Sequence, residues 1–192
     1  MAYRYISDLH FGHSNIIHFD NRPFVDVKEM DRVLMENWNN SVDSKDTVHI
    51  LGDFCWGKES EWIKLIPQLA GDKVLIRGNH DLKHMSSTLK NMFLDIKDYK
   101  EVDDNGRKVV LCHYPMPCFK NHFYGWYHLY GHVHNSFEAQ MMEHDKFLME
   151  ELYGKQCQMY NVGCMMPYMG YTPRTLDEIV NGSIINESAR VA

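Results

Sequence analysis

A chain of 192 residues with 44% hydrophobic content is long enough to bury one sizeable core, and its formal charge of −6 argues against a general nucleic-acid-binding surface, which needs clustered Lys and Arg. No apolar run of ~18 residues is available to span a bilayer, and the opening MAYRYISDLH lacks the basic-then-apolar order of a secretion signal, so a cytoplasmic protein with no membrane partner is expected. Five cysteines, odd in number and without a C-x-x-C pair, indicate neither a disulfide framework nor a structural zinc knuckle and are expected as reduced thiols.

In chain order, apolar strand-like runs are expected at 3–7, 47–51, 73–77, 108–112, 126–130 and 158–162, with helical periodicity between several of them, which indicates the α/β class. Val27, Met30, Leu34 and Trp38 recur at three- and four-residue spacing and predict an amphipathic helix. Trp62, Leu65, Ile66 and Leu69 predict a second over 61–69, with Gly71 beyond its end and Pro67 late inside it, and 137–152 is a third. Asp103-Asp104-Asn105-Gly106 between two strand-like runs reads as a hairpin turn. One domain over 1–192 is expected, with a weakly apolar tail over 182–192 that frays. The sequence does not settle the oligomeric state.

Five of the apolar runs end in polar residues. "ISDLHFGH" delivers Asp8, His10 and His13; "HILGDFCWG" Asp53 behind Gly52; "VLIRGNHD" Asn79, His80 and Asp81 behind Gly78; "VVLCHYP" His113; and "HLYGHVH" His132 and His134 behind Gly131. Sites in open α/β sheets assemble beyond the carboxyl ends of strands, so five such ends can share one pocket. The glycines at 52, 78 and 131 allow backbone to pack closely there. Carboxylate, imidazole and amide oxygen together suit Mn, Fe, Zn, Co or Ni, with Mn favoured, and not a thiolate-seeking ion or a calcium cage. Asp8, His10, Asp53, Asn79, His113, His132 and His134 are too many for one open catalytic ion. If Asp53 bridges, they divide between two divalent ions roughly 3.5–4 Å apart, an arrangement suited to in-line attack on phosphorus.

The set D-x-H, G-D, G-N-H-D, a lone His after a strand, and G-H-x-H, in that order from Asp8 to His134, resembles the calcineurin-like metallophosphoesterases over about two thirds of the chain. With "DLHFGHSNIIHFDNRPF", "LGDFCWG" and a late "NVG", it is similar to a small bacterial and phage subgroup of predicted phosphoesterases or phosphohydrolases. The resemblance implies a four-layer αββα sandwich of two mixed β-sheets flanked by helices. It assigns Asp8, His10, Asp53 and His134 to a first metal, and Asp53, Asn79, His113 and His132 to a second. His80 corresponds to an outer-sphere catalytic histidine, with Asp81 orienting it. Cys164-Met165-Met166, after Asn161-Val162-Gly163, offers no carboxylate and takes no chemical role.

Beyond these residues the readings stay open. His13 either reaches a bound phosphate or is a loop residue, and Arg22 either pairs with a substrate oxygen or makes a plain surface salt bridge. Phe123, Tyr124, Trp126 and Tyr127 are read as local packing ahead of base stacking. His18, His49, His84, His122, His128 and His144 are read as structural, and the methionines as packing residues. The expected activity is hydrolysis of a small, nucleotide-like phosphomonoester or phosphodiester by metal-activated hydroxide attack on phosphorus, with His80 protonating the leaving oxygen. The alternatives are a nuclease, which the charge disfavours, and a non-catalytic scaffold of the same fold, which predicts lost ligands.

Overall fold

The computed structural model describes residues 1–191 and, within the last helix, side chains as far as Ser183. Its elements run β1 (Tyr3–Ile6), α1 (Ile16–Phe19), α2 (Val27–Ser41), β2 (Thr47–Ile50), α3 (Glu59–Leu65), β3 (Asp72–Ile76), α4 (Ser87–Lys90), β4 (Asp95–Lys97), β5 (Tyr99–Asp104), β6 (Arg107–Cys112), β7 (Tyr127–Tyr130), α5 (Phe137–Tyr153), β8 (Met159–Asn161) and α6 (Leu176–Val191). Two four-stranded sheets form, in the orders β1-β2-β3-β4 and β5-β6-β7-β8. The first is parallel, with an antiparallel bridge from Tyr5 to Arg174 at its edge. The second is mixed: β5 runs antiparallel to β6, and β6, β7 and β8 are parallel.

Helices flank the two sheets. Ile6, Ile50 and Leu75 of the first sheet share one buried cluster with Val109, Leu111 and Leu129 of the second, so the sheets face each other across a common core. Met30, Leu34 and Trp38 of α2, Trp62 and Leu65 of α3, and Leu176 and Ile179 of α6 join that cluster. Along β6 and β7 the intervening residues Val110 and Tyr130 turn the other way, into a second cluster with Ala139 and Met149 of α5. Side chains alternate across a strand, so one apolar run serves two cores. The α/β class with two helix-flanked sheets is therefore the observed architecture.

Local chemistry sets the boundaries. The Asp26 side chain caps α2 by accepting from Glu29 N–H at 2.9 Å. Pro67, which lacks an N–H, ends α3 at Leu65 and leaves Ile66–Gln68 as a 3₁₀ turn, short of the expected helix to 69. The hairpin falls where Asn105 and Gly106 take φ of 53° and 83°, pairing Asp104 with Arg107. β4 and β5 escape the apolar pattern because they are partly exposed and polar. Gly182 and Ser183, expected to fray, lie in α6, and the remainder of that expectation falls outside the residues whose side chains are described. Among the described residues no helix is long and apolar enough to cross a membrane.

Candidate metal centre

Five strand ends drawn from both sheets deliver the site. Asp8 and His10 follow β1, Asp53 follows β2, Asn79 follows β3, His113 follows β6, and His132 and His134 follow β7. The two sheets are tied together here, where Ser7 N–H donates to Val162 O and Cys164 N–H to Ser7 O, both at 2.9 Å. Asp8, His10, Asp53 and His134 each bring one ligand atom within 4.8 Å of the others. These are the four residues that the resemblance groups around a first ion. Asp53 extends the cluster: its Oδ2 lies 3.6 Å from His10 Nε2 and 3.7 Å from His113 Nε2. Asn79 Oδ1 in turn lies 3.0 Å from His113 Nε2 and 2.9 Å from His132 Nδ1.

The donor set fits a cation. His113 Nδ1 donates to the Leu51 carbonyl at 2.7 Å, which leaves Nε2 of a neutral ring without a proton, yet that nitrogen faces two oxygen acceptors. His134 Nδ1 donates to Asp20 Oδ1 at 2.6 Å, and its Nε2 points at Asp8 Oδ1, 3.7 Å away. His10 Nε2 is buried with no hydrogen-bond partner. Lone pairs converging in a buried space repel one another unless positive charge lies among them. Burial, with the charges of His134 and Arg22 adding to it, pushes the His10 imidazole down to about 2, so it is neutral and able to ligate. Burial also raises the Asp53 carboxyl, with His113 opposing and Asp8 reinforcing the rise. At His134 burial alone would lower the ring, but the Asp20 hydrogen bond and the charges of Asp8 and Asp20 raise it.

Five of the proposed ligands sit in left-handed backbone. The φ angles are 55° at Asp8, 53° at His10, 52° at Asp53, 70° at His132 and 50° at His134. Such angles are unfavourable for residues with a Cβ and concentrate at functional sites. Hydrogen bonds hold them there: His10 N–H donates to Asp53 O at 2.9 Å, and His132 N–H to the Asp8 carboxylate at 3.1 Å. Gly52 and Gly131 are required by close approach. A Cβ on Gly52 would strike the His113 ring and the Gly78 backbone, and one on Gly131 would lie 2.5 Å from Asp8 Oδ2.

Two expected roles are corrected. Arg22 faces neither substrate nor surface. It is 4% exposed, its Nη2 and Nη1 donating to the carbonyls of Asp8 (2.7 Å) and Leu9 (2.9 Å) and its Nε to Asp20 Oδ2 (2.9 Å). A buried guanidinium with these partners clamps the first ligand loop. Asp81 does not orient the His80 ring. Its carboxylate accepts from the backbone N–H groups of Gly78 (2.8 Å), Phe54 (2.9 Å) and Asp53 (3.1 Å), and burial raises it to about 6. It organises two ligand loops instead.

His80 is anchored through its backbone, where N–H donates to Asp53 Oδ1 at 2.9 Å; its exposed ring lies 5.8 Å from that of His10. His13 stacks on Trp56, with ring centroids 4.0 Å apart and planes 8° from parallel, and both residues line an open cleft above the ligands. Asp20 and Trp56 were not singled out by sequence. "GDFCWG" places Trp56 three residues after Asp53, but nothing local ties Asp20 to a histidine 114 positions away. The segment after Asn161 is structural: Asn161 Nδ2 donates to His134 O at 2.8 Å, and Cys164 Sγ to Asp8 O at 3.1 Å.

No family model matches the chain. Over 131 residues, spanning 67% of each chain, it is 39% identical to an uncharacterized protein of Methanocaldococcus jannaschii, and it belongs to the family of that protein. It is 30% identical over 127 residues to the Gene 66 protein of Mycobacterium phage D29, covering 58% of this chain and 62% of the phage protein. The solved structure of a protein of unknown function from Aquifex aeolicus superposes with a TM-score of 0.68 at 26% identity, covering 93% of this chain and 97% of that one. None of these names states an activity.

Proposed function

We propose that the protein is a metal-dependent phosphoesterase acting on a small phosphomonoester or phosphodiester. The observation that carries this reading is the position of Asp53, whose one carboxylate faces His10 and His113 from opposite halves of the ligand set. Two divalent cations of the Mn, Fe, Zn, Co or Ni type would supply the Lewis acidity that neutralises phosphoryl oxygens and makes water nucleophilic at neutral pH.

The chain's own residues prepare that chemistry. Leu51 O and Asp20 fix His113 and His134 in the tautomers that present Nε2 to the site. Arg22 and Asp81 hold the loops that carry Asp8, Asp53 and Asn79. The His80 ring, which lines the cleft beside the cluster, would give a proton to the departing oxygen. The test is direct: protein loaded with Mn is assayed by elemental analysis and by turnover of p-nitrophenyl mono- and diesters. Bound metal with metal-dependent turnover is the expected result. Bound metal without hydrolysis of either class of ester overturns the proposal.

A further inference from the structure

The cleft above the ligands has a volume of about 540 Å³, enough for a nucleotide-sized molecule. One side of it is aromatic. His13 lies flat on Trp56, and Phe19 stands edge-on to His13 with centroids 6.4 Å apart, so three rings form a continuous ledge. Phe19 is 73% exposed and Trp56 43%, apolar surface held in water directly beside the candidate metal centre. Val133, Ser136 and Glu138 also line it. No Lys or Arg lines the cleft among the described residues, and Arg22 beneath it is buried against Asp20 and two carbonyls.

We infer that this site takes a phosphoester whose leaving group is flat and uncharged, of the nucleoside monophosphate kind, with its ring held on the Phe19–His13–Trp56 ledge. The inference rests on the phosphoesterase reading and narrows it. A single phosphoryl group would sit over the ligand cluster, and any further phosphate would meet Glu138 and no cation. A polynucleotide needs a row of cations along its backbone, which this cleft does not offer. A planar neutral ring gains stacking at no electrostatic cost.

Adenosine 5′-monophosphate and ribose 5-phosphate share the same primary alkoxide leaving oxygen and differ only in the base, so their comparison isolates the ledge. Binding to the Mn-loaded protein is measured by titration calorimetry and hydrolysis by phosphate release. Adenosine monophosphate should bind about ten- to hundredfold tighter, the usual range for one stacked base. Phe19→Ala, at an exposed position where folding is not at stake, and Trp56→Ala should each move the affinity ratio toward one. Adenosine triphosphate should bind no tighter than the monophosphate. Equal affinities for the two monoesters, or a ratio unchanged in both variants, overturn the inference even if both esters are cleaved. An intact preference without hydrolysis supports the ligand class and instead overturns the phosphoesterase reading.

Discussion

His134 Nδ1 lies 2.6 Å from Asp20 Oδ1, and the other oxygen of Asp20 accepts from Arg22 Nε at 2.9 Å. The carboxylate thus fixes which nitrogen of His134 is free to face Asp8, and the buried guanidinium fixes the carboxylate. Asp20→Asn keeps the shape and weakens the acceptor. Loss of such an orienting partner commonly reduces metal affinity about 10–100-fold. Calorimetric titration with Mn should show that loss; an unchanged affinity would remove Asp20 from any role in orienting the ligand.

On the proposed reading Asp53 would be shared by two ions, so Asp53→Asn should deplete both candidate metal positions, because an amide cannot serve two cations. His10→Ala should chiefly weaken one. Elemental analysis after dialysis distinguishes the two patterns, and an Asp53 variant with two ions and full activity would contradict the assignment.

His80 and Asp81 are neighbours with different work. His80→Ala should cost about 10²–10⁴-fold on an alkyl ester, distinctly less on a nitrophenyl ester whose leaving group needs no proton, and little metal. Equal losses on both esters would replace proton donation with charge stabilisation. Asp81→Ala strips the acceptor from three backbone N–H groups, at about 1–3 kcal/mol for each left unpaired. Its signature should be lower stability in urea and lost metal, with no dependence on the leaving group.

Two histidines outside the site set the acid limit. Burial pushes His49 and His128 each down to about 4. His128 is neutral, with Nδ1 bonded to Val110 O and Nε2 accepting from Met116 N–H, each at 3.1 Å; His49 packs flat on Tyr5 with a partnerless Nδ1. An unfolded histidine titrates near 6.5, so between about pH 6.5 and 4 the unfolded chain binds protons that the native rings refuse. Stability should be full above pH 6.5 and fall toward pH 4, by on the order of 3 kcal/mol per ring. His128→Gln should flatten part of that slope in denaturant titrations; a slope identical to wild type would exclude His128 as its source.

The strands β1, β2 and β3 were legible because their apolar residues are largely buried, and the candidate cluster because Asp8, His10, Asp53 and His134 each follow a strand at its carboxyl end. β4 and β5 were not, since a polar strand at a sheet edge has the composition of a loop. Arg22 and Asp81 misled for a related reason. A charged residue that satisfies buried backbone groups is indistinguishable in sequence from one that faces a substrate, and only the carbonyls of Asp8 and Leu9 and the N–H groups of Gly78, Asp53 and Phe54 separate the two roles. Asp20 required the fold itself, because its partner lies on the far side of both sheets' connectivity.

The left-handed backbone at Asp8, His10, Asp53, His132 and His134 sets stability and function against each other. At roughly 1 kcal/mol or more per residue, five such conformations amount to a substantial share of the ~5–15 kcal/mol that holds an ordinary domain folded. His132 is exposed, so His132→Gly sacrifices no core packing and relieves its backbone. In chelator, that variant should melt above the wild type while holding less metal, as calorimetry and elemental analysis would record. Directed evolution of this chain for heat resistance alone should therefore favour glycine at position 132 and weaken the candidate centre, unless metal retention is selected alongside it.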